Sequence, residues 1–211
     1  MRVLPIKQVQ AKCLMILKDH IDTDQIIPAR FLYKSRADGF DHLLFHDFLT
    51  QLPEAERSSL RDIHAKGAPK ILLAGENFGC GSSREQAVWA LIDNGFKVVV
   101  AKSFGDIFYG NAINNGLVAI ELPELIDSLS SELINADSLN ADSLLVNLES
   151  QQIKTQTGKV YPFTMDPFFK NMLIQGAQEL DMTLQLLDKI KAFEQRHDSQ
   201  FPWLQHPSSR T

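Results

Sequence analysis

Short hydrophobic runs alternate with amphipathic segments through the middle of the chain. Apolar runs bounded by turn-forming residues predict buried strands at 12–17, 70–74, 97–101 and 117–122. Helical spacing of apolar positions predicts helices at 83–94, at 106–113 and from about residue 123. Strands that alternate with helices in this way are typical of an α/β domain with a mainly parallel sheet.

The pattern changes after residue 135. Three short segments at 143–148, 152–156 and 159–163 predict antiparallel strands, with Thr157-Gly158 as a hairpin turn. Apolar residues then recur at spacings of three and four. This spacing predicts an amphipathic terminal helix that packs on the body of the domain, through Leu180, Leu184, Leu187, Ile190 and Phe193.

Two segments are predicted to have little regular structure. Residues 34–66 mix short apolar clusters with charges, Gly39 and Pro53, which indicates an irregular excursion with one or two short helices. The polar stretch from 197 to 211 indicates a disordered tail. We therefore expect a single domain over 1–196, followed by that tail.

Composition narrows the classes of function. The chain has 211 residues, of which 44% are hydrophobic, enough for one well-buried domain. Its net charge of -5 argues against binding to nucleic acid or anionic membranes. The apolar runs are far shorter than the ~20 residues of a membrane-spanning helix, and the first residues do not resemble a signal peptide. We expect a cytoplasmic chain whose partners are small molecules and proteins.

The chain has only two cysteines, Cys13 and Cys80. An iron-sulfur cluster normally requires three or four thiolates, so this chain cannot hold one alone. His42 and His46 are four residues apart, as in some metal sites, but the polar excursion around them favours solvent-exposed side chains. We expect no metal or other cofactor to be bound by this chain.

The segment from Gly75 to Glu85 carries the most specific chemistry. It contains three glycines and lies between a predicted buried strand and a predicted helix. Such a turn brings backbone NH groups and the positive end of the helix dipole toward an anion, here a carboxylate. Arg84, predicted in the first helical turn, can add a two-pronged contact. A nearby hydroxyl, that of Ser82 or Ser83, could act as a base or a nucleophile.

The same residues allow a purely structural interpretation. Ser82-x-x-Glu85 also matches a capping box, in which both side chains only bind helix NH groups. The preceding glycines and Arg84 are more than a cap requires, which favours a functional site. The glycine spacing does not match a dinucleotide fingerprint, and the Gly-Lys-Ser/Thr ending of a P-loop is absent.

Three motifs resemble those of one known family. Asn77 to Glu85 (NFGCGSSRE) resembles the signature of the aconitase swivelling-domain family in its isopropylmalate dehydratase form. Asp22 to Pro28 (DTDQIIP) and Ser103 to Asn111 (SFGDIFYGN) resemble two further motifs of that family in the same order. The resemblance is strong over about 12–122 and loose over 161–193.

The resemblance implies a swivelling β/β/α domain that is active only with a separate large subunit, in a heterodimer or heterotetramer. That partner would carry a 4Fe-4S cluster on three cysteines. Ser82 matches the family's catalytic base, and Ser83 and Arg84 match its carboxylate-binding residues. Asp24 would be a polar supporting residue. Gly79, Gly81 and Cys80 would be supporting residues of the motif, and Cys80 would not be a metal ligand.

The reaction implied is dehydration of 2-isopropylmalate followed by rehydration to 3-isopropylmalate, a step of leucine biosynthesis. Leu32 lies in the stretch that matches the family's substrate-discriminating loop, where an apolar residue suits an isopropyl group; a leucine of the core is the alternative interpretation. Gln86 and Val88 depart from the family's usual histidine and proline. A paralogue acting on another hydroxy dicarboxylic acid, of homoaconitate or methylmalate type, therefore stays open.

Two further hypotheses belong to other classes. The glycine-rich turn and Arg84 could serve a non-catalytic module that senses a carboxylate metabolite. A stand-alone serine hydrolase fits less well, because the chain lacks the G-x-S-x-G elbow and a clear partner histidine after the serine.

Overall fold

The computed structural model describes residues 3–36, 39–54, 57, 60–65, 67–133 and 143–204. Within them the centre of the fold is a seven-stranded mixed sheet with the order β4-β3-β2-β1-β5-β6-β7. Its strands are β1 (Gln8–Ile16), β2 (Lys70–Ala74), β3 (Phe96–Ala101), β4 (Val118–Glu121), β5 (Leu144–Asn147), β6 (Gln152–Lys154) and β7 (Val160–Pro162).

Eight α-helices accompany the sheet in the described residues. They are α1 (Thr23–Ile26), α2 (His46–Gln51), α3 (Glu85–Asp93), α4 (Asp106–Asn114), α5 (Pro123–Leu133), α6 (Pro167–Gln175), α7 (Glu179–Leu184) and α8 (Leu187–Gln200). Short 3-10 helices lie at Ala29–Phe31, Asp41–Leu43, Arg61–His64 and Pro202–Leu204. None of the helices in this part of the chain is both long and apolar enough to cross a membrane.

The parallel half of the sheet forms the centre of the core. Strands β1 to β4 pair in parallel, and all five residues of β2 are buried. A parallel strand covered on both faces has no solvent side, so its sequence is a continuous apolar run and not an alternation. Helices α3, α4 and α5 follow β2, β3 and β4 in the chain. The predicted α/β winding is confirmed.

The antiparallel half is joined to this core through β1. Lys12 to Ile16 pair in parallel with β2, whereas Gln8 to Ala11 pair in antiparallel fashion with β5. The strand therefore begins four residues earlier than the predicted start at 12. The hairpin predicted at Thr157-Gly158 is confirmed, because the Gly158 amide donates to the Thr155 carbonyl at 3.0 Å.

The excursion of 34–66 contributes to the core in its described parts. Its aromatic residues Phe40, Phe45 and Phe48 are buried. Short helices are present, as predicted. His46 lies at the start of α2 and contacts the neighbouring Asp47 carboxylate at 2.8 Å. Among the described residues no group of three or more histidine, cysteine or acidic side chains is placed to hold a metal ion.

The terminal helical region differs from the prediction in its packing. Helices are present, but neither α7 nor α8 has a buried residue, so the predicted packing of this stripe on the body is wrong. The first helix ends at Leu184 and the second begins at Leu187, which divides the apolar stripe between them. Helix α8 continues to Gln200, past the predicted start of the tail at 197, because Phe193 and Phe201 both contact the His197 ring. Residues 205–211 lie outside the described residues.

Candidate active site

Three loops meet where the parallel strands β1, β2 and β3 end. The loop after β2 lies between the other two and is bonded to both through its backbone. The Gly79 amide donates to the Ile21 carbonyl at 2.7 Å, and the Phe78 amide donates to the Ser103 carbonyl at 3.0 Å. The Gly105 amide donates back to Phe78 at 2.9 Å. The three motifs that are separated along the sequence therefore form one structure.

The glycines of the turn allow this close approach. A Cβ atom on Gly79 would overlap the Phe108 ring, and the φ angle of Gly79 is +76°. Gly81 has a φ angle of +90°, and a Cβ atom there would make only ordinary contacts, 3.5 Å from Asp22 Cβ and 3.6 Å from Thr23 Oγ1. Gly79 therefore serves close packing against α4, whereas Gly81 serves a left-handed backbone conformation.

Helix α3 begins at Glu85, two residues later than the capping-box interpretation requires. Its N-cap is Arg84, so the prediction of Arg84 in the first helical turn is wrong by one position. The Glu85 carboxylate accepts a hydrogen bond from Asn115 Nδ2 at 2.7 Å. Ser82 and Ser83 are exposed in the turn before the helix. The capping box is therefore not formed, because its glutamate binds another helix and its serine lies outside the cap.

Arg84 forms an ion pair with Asp24 on α1. The arginine side chain is only 14% exposed, whereas that of Asp24 is 55% exposed. Asp24 Oδ1 also accepts a hydrogen bond from the Ala29 amide at 3.1 Å. The hydrogen bond from Arg84 lowers the pKa of Asp24, against the opposing effect of burial. Asp24 is consequently anionic at neutral pH and fixes the orientation of the guanidinium.

Thr23 is a residue of the site that the sequence did not single out. It is 2% exposed, and its hydroxyl donates to the Ser82 carbonyl at 3.1 Å. Its backbone amide donates to the Cys80 carbonyl at 2.9 Å. The signal available in the sequence was its position between two acids, Asp22 and Asp24, in a motif that was otherwise recognised.

The two cysteines are placed apart. Cys13 is buried in β1, and Cys80 is partly buried in the turn. Burial raises the pKa of the Cys80 thiol, and the charge of Asp22 adds to this effect. A thiol with a raised pKa is protonated at neutral pH, which makes Cys80 a poor nucleophile. Two thiols are also fewer than the three or four thiolates of an iron-sulfur cluster. The donor set of the two sulfur atoms does not suit a cluster on this chain.

The stretch that contains Leu32 lies beyond α1. Leu32 follows the 3-10 helix Ala29–Phe31 and packs, partly buried, against the core. The Arg30 guanidinium lies 4.6 Å from the centre of the Phe31 ring and binds Asp47 with both terminal nitrogens, at 2.6 and 2.5 Å. These contacts hold the stretch in place. The position of Leu32 fits the core interpretation as well as the substrate interpretation.

The arrangement combines a fixed cation with exposed hydroxyls. Ser82 and Ser83 stand beside Arg84 at the amino-terminal end of α3, where helix NH groups also carry partial positive charge. A carboxylate is the natural ligand of such a surface, and a serine next to it can exchange a proton with the bound molecule. Val88 is buried in α3 and Gln86 is half-buried there, so both departures from the motif lie beyond the turn itself.

Comparison with known proteins gives concordant results. Residues 4–125 match the model of the aconitase C-terminal domain, and residues 181–206 match that of the C-terminal domain of 3-isopropylmalate dehydratase small subunits. The 3-isopropylmalate dehydratase small subunit of Bacillus velezensis is 42% identical over 95% of this chain and 98% of its own length. The protein of the same name from Psychromonas ingrahamii is 41% identical over 89% of this chain and 92% of its own.

A solved structure agrees with these relatives. The crystal structure of 3-isopropylmalate dehydratase from Methanocaldococcus jannaschii superposes with a TM-score of 0.61 at 26% identity. The match covers 88% of this chain and 99% of the archaeal chain.

Proposed function

The chain belongs to the aconitase C-terminal domain family, among the 3-isopropylmalate dehydratase small subunits, and we propose that it is the small subunit of such a hydro-lyase. The reaction is the isomerisation of 2-isopropylmalate to 3-isopropylmalate in leucine biosynthesis. The observation that carries the proposal is the exposed Ser82 hydroxyl beside the fixed Arg84 guanidinium, in a turn whose sequence resembles the signature of the family.

In this proposal Ser82 exchanges the proton. In its deprotonated form, Ser82 removes a proton from the carbon next to the hydroxyl-bearing carbon of 2-isopropylmalate, and a double bond forms as the hydroxyl takes a proton from an acid of the partner protein and leaves as water. Water then adds to the intermediate with the opposite orientation, and the proton returns to the carbon that lost the hydroxyl. A base that is already positioned contributes roughly 10²- to 10⁴-fold to such a step.

Ser83 and Arg84 bind a carboxylate of the substrate. Arg84 has five NH donors and binds the Asp24 carboxylate with some of them. The remaining donors are available for a carboxylate of the substrate. Leu32 is the residue we assign to the isopropyl group. Asp24, Gly79, Gly81 and Cys80 support the turn without touching the reacting atoms.

The site is completed by a large partner protein. This chain has two cysteines, fewer than the three or four thiolates that a cluster requires, so we place the 4Fe-4S cluster on the partner. When bound, the cluster supplies a Lewis acid for the substrate hydroxyl. The assembly is a cytoplasmic heterodimer or heterotetramer. Helices α7 and α8 expose apolar side chains. These side chains support association with the partner, because proteins usually bury large apolar patches in an interface.

Anaerobic reconstitution tests the proposal. The chain is mixed with a large subunit from the same cells, and the absorbance of the unsaturated intermediate is followed with 2-isopropylmalate. We expect activity from the mixture and none from either protein alone. Activity only with homoaconitate or a methylmalate would keep the reaction type and replace the substrate.

Calorimetric titration of the isolated chain tests the sensor alternative. Because half of the proposed site lies on the partner, 2-isopropylmalate should bind the isolated chain only weakly. Submicromolar binding without a partner would favour a carboxylate-binding module over the enzyme subunit.

A further inference from the structure

The turn that carries Ser82 is connected to the loop and short helix that follow β1. Within the described residues, Thr23 and Asp24 supply two hydrogen bonds and one ion pair to 80–84, and Asp22 beside them forms a parallel β-bridge with Cys80. Gly81 within the turn lies against the same segment, since a Cβ atom there would be 3.5 Å from Asp22 Cβ and 3.6 Å from Thr23 Oγ1. The position of Ser82 is therefore set from outside the turn.

Thr23 provides the contact nearest to Ser82. The Thr23 hydroxyl donates to the Ser82 carbonyl itself. The Thr23 amide binds Cys80, two residues before Ser82, and the Asp24 carboxylate binds Arg84, two residues after it. Thr23 is buried and its own backbone is helical, so it is a rigid donor. Asp22 strengthens this rigidity by capping α1, since its carboxylate accepts the Gln25 amide at 2.7 Å.

We infer that Thr23 is a positioning residue for the proton transfer by Ser82, through the hydrogen bond from Thr23 Oγ1 to the Ser82 carbonyl. The inference rests on the proposed function and adds a residue to it. Thr23 does not touch substrate in this account. It holds the serine backbone so that the hydroxyl reaches the carbon that loses the proton, and a misplacement of about 1 Å can reduce a rate by about 10²-fold.

The substitution Thr23→Val tests the inference in the reconstituted enzyme. Valine keeps the branched shape and the backbone amide and removes only the hydroxyl donor. We expect kcat for 2-isopropylmalate to fall by about tenfold while KM changes by less than about twofold, because the Arg84 contact is intact. The kinetic isotope effect with substrate deuterated at the carbon that loses the proton should increase, since proton removal becomes slower relative to the other steps.

Two further variants complete the experiment. Thr23→Ser keeps the hydroxyl and should keep kcat within about threefold of the wild-type value. If the valine variant does not assemble, Thr23→Ser is compared with Thr23→Ala, which lacks the hydroxyl; equal kcat values for these two variants would then overturn the inference. Thr155→Val is the matched control, because the Thr155 hydroxyl also donates to a backbone carbonyl, that of Lys159 at 3.3 Å, but in the hairpin between β6 and β7.

The outcomes separate this inference from the proposed function. A wild-type complex without activity on any hydroxy dicarboxylic acid contradicts the function itself. An active wild-type complex whose Thr23→Val variant keeps the wild-type kcat overturns only the role of Thr23. A lower kcat with an unchanged isotope effect and a lower thermal midpoint also overturns it, because the threonine would then be structural.

Discussion

The turn at 79–84 and the terminal helices α7 and α8 present opposite surfaces. In the turn, polar side chains are exposed while the backbone beneath them is bonded to buried loops, as Gly79 is to Ile21. In the terminal helices no residue is buried, and apolar side chains are exposed: Phe193 is 58% exposed, and Trp203 beyond them is 73% exposed.

The difference separates two tasks. The turn is ordered by its own chain, so its chemistry requires no rearrangement before substrate binds. The terminal helices satisfy their own backbone hydrogen bonds but bury little apolar surface on this chain. Substitutions in the turn should therefore change rate or stability and leave assembly intact, whereas substitutions on the helices should change assembly alone.

The largest effect is expected at the hydroxyl of the turn. Ser82→Ala should lower kcat of the reconstituted enzyme by about 10³-fold, because it removes the proposed base. Assembly and the thermal midpoint should be unchanged, since the side chain is exposed. The matched control is Ser150→Ala, an exposed serine in the turn between β5 and β6. A kcat within about tenfold of the wild-type value would remove Ser82 from the mechanism.

A stability effect is expected where the turn packs against α4. Gly79→Ala should lower the free energy of unfolding by about 3 kcal/mol, because the new methyl group meets the Phe108 ring and the φ angle is left-handed. Gly158→Ala isolates the second cause, since Gly158 also has a positive φ angle but open space; about 1 kcal/mol is expected there. Denaturant titration measures both, and equal losses would show that the close packing is unimportant.

Substitutions on the terminal helices should weaken the association with the large subunit. Phe193→Glu places a charge on the exposed apolar surface, and we expect the dissociation constant from the large subunit to rise by at least about tenfold. The free energy of unfolding of the isolated chain should change by less than about 0.5 kcal/mol. Gln195→Glu adds the same charge on the same helix as the control. If both variants bind equally, the apolar side chain has no part in association.

The smallest effect is expected at the ion pair. Asp24→Asn should raise KM about fivefold by loosening Arg84, with little effect on kcat. The pKa of Asp24 is lowered in the folded chain. The ion pair therefore contributes its full stabilisation above the ordinary aspartate pKa, about 3.9, and this stabilisation is lost as the pH falls through the lower pKa of the folded chain.

Denaturation at several pH values checks the second part of this prediction. The difference between the wild type and Asp24→Asn should be full at pH 7 and vanish in strong acid. Glu194→Gln on α8 is the control, and a difference that is independent of pH would contradict the ion-pair explanation.

Much of the parallel half was predictable from the sequence. The continuous apolar runs of β2 and β3 admit few structures other than buried strands, and the boundaries agree within one residue. The turn was recognisable because glycines, two serines and an arginine occur together. The start of β1 was not predictable, because the pairing of Gln8 with Asn147 depends on a strand far away in sequence.

The details of the site depended on contacts of the same long-range kind. The capping interpretation of Glu85 was excluded by Asn115, which lies 30 residues away. The role of Thr23 emerged from a hydrogen bond across 59 residues. Local patterns give the propensity of a segment, but the partner of a polar side chain is chosen only when distant segments meet.

Residue types and local spacing were enough to predict the α/β class, the family motifs and the shortage of thiols for a cluster. The ion pair between Arg84 and Asp24, the hydrogen bond from Thr23 to the Ser82 carbonyl and the exposed apolar side chains of α7 and α8 depend on how distant segments meet. The physical reason is that periodicity shows which side chains avoid water. Whether they do so against their own chain depends on how the segments pack.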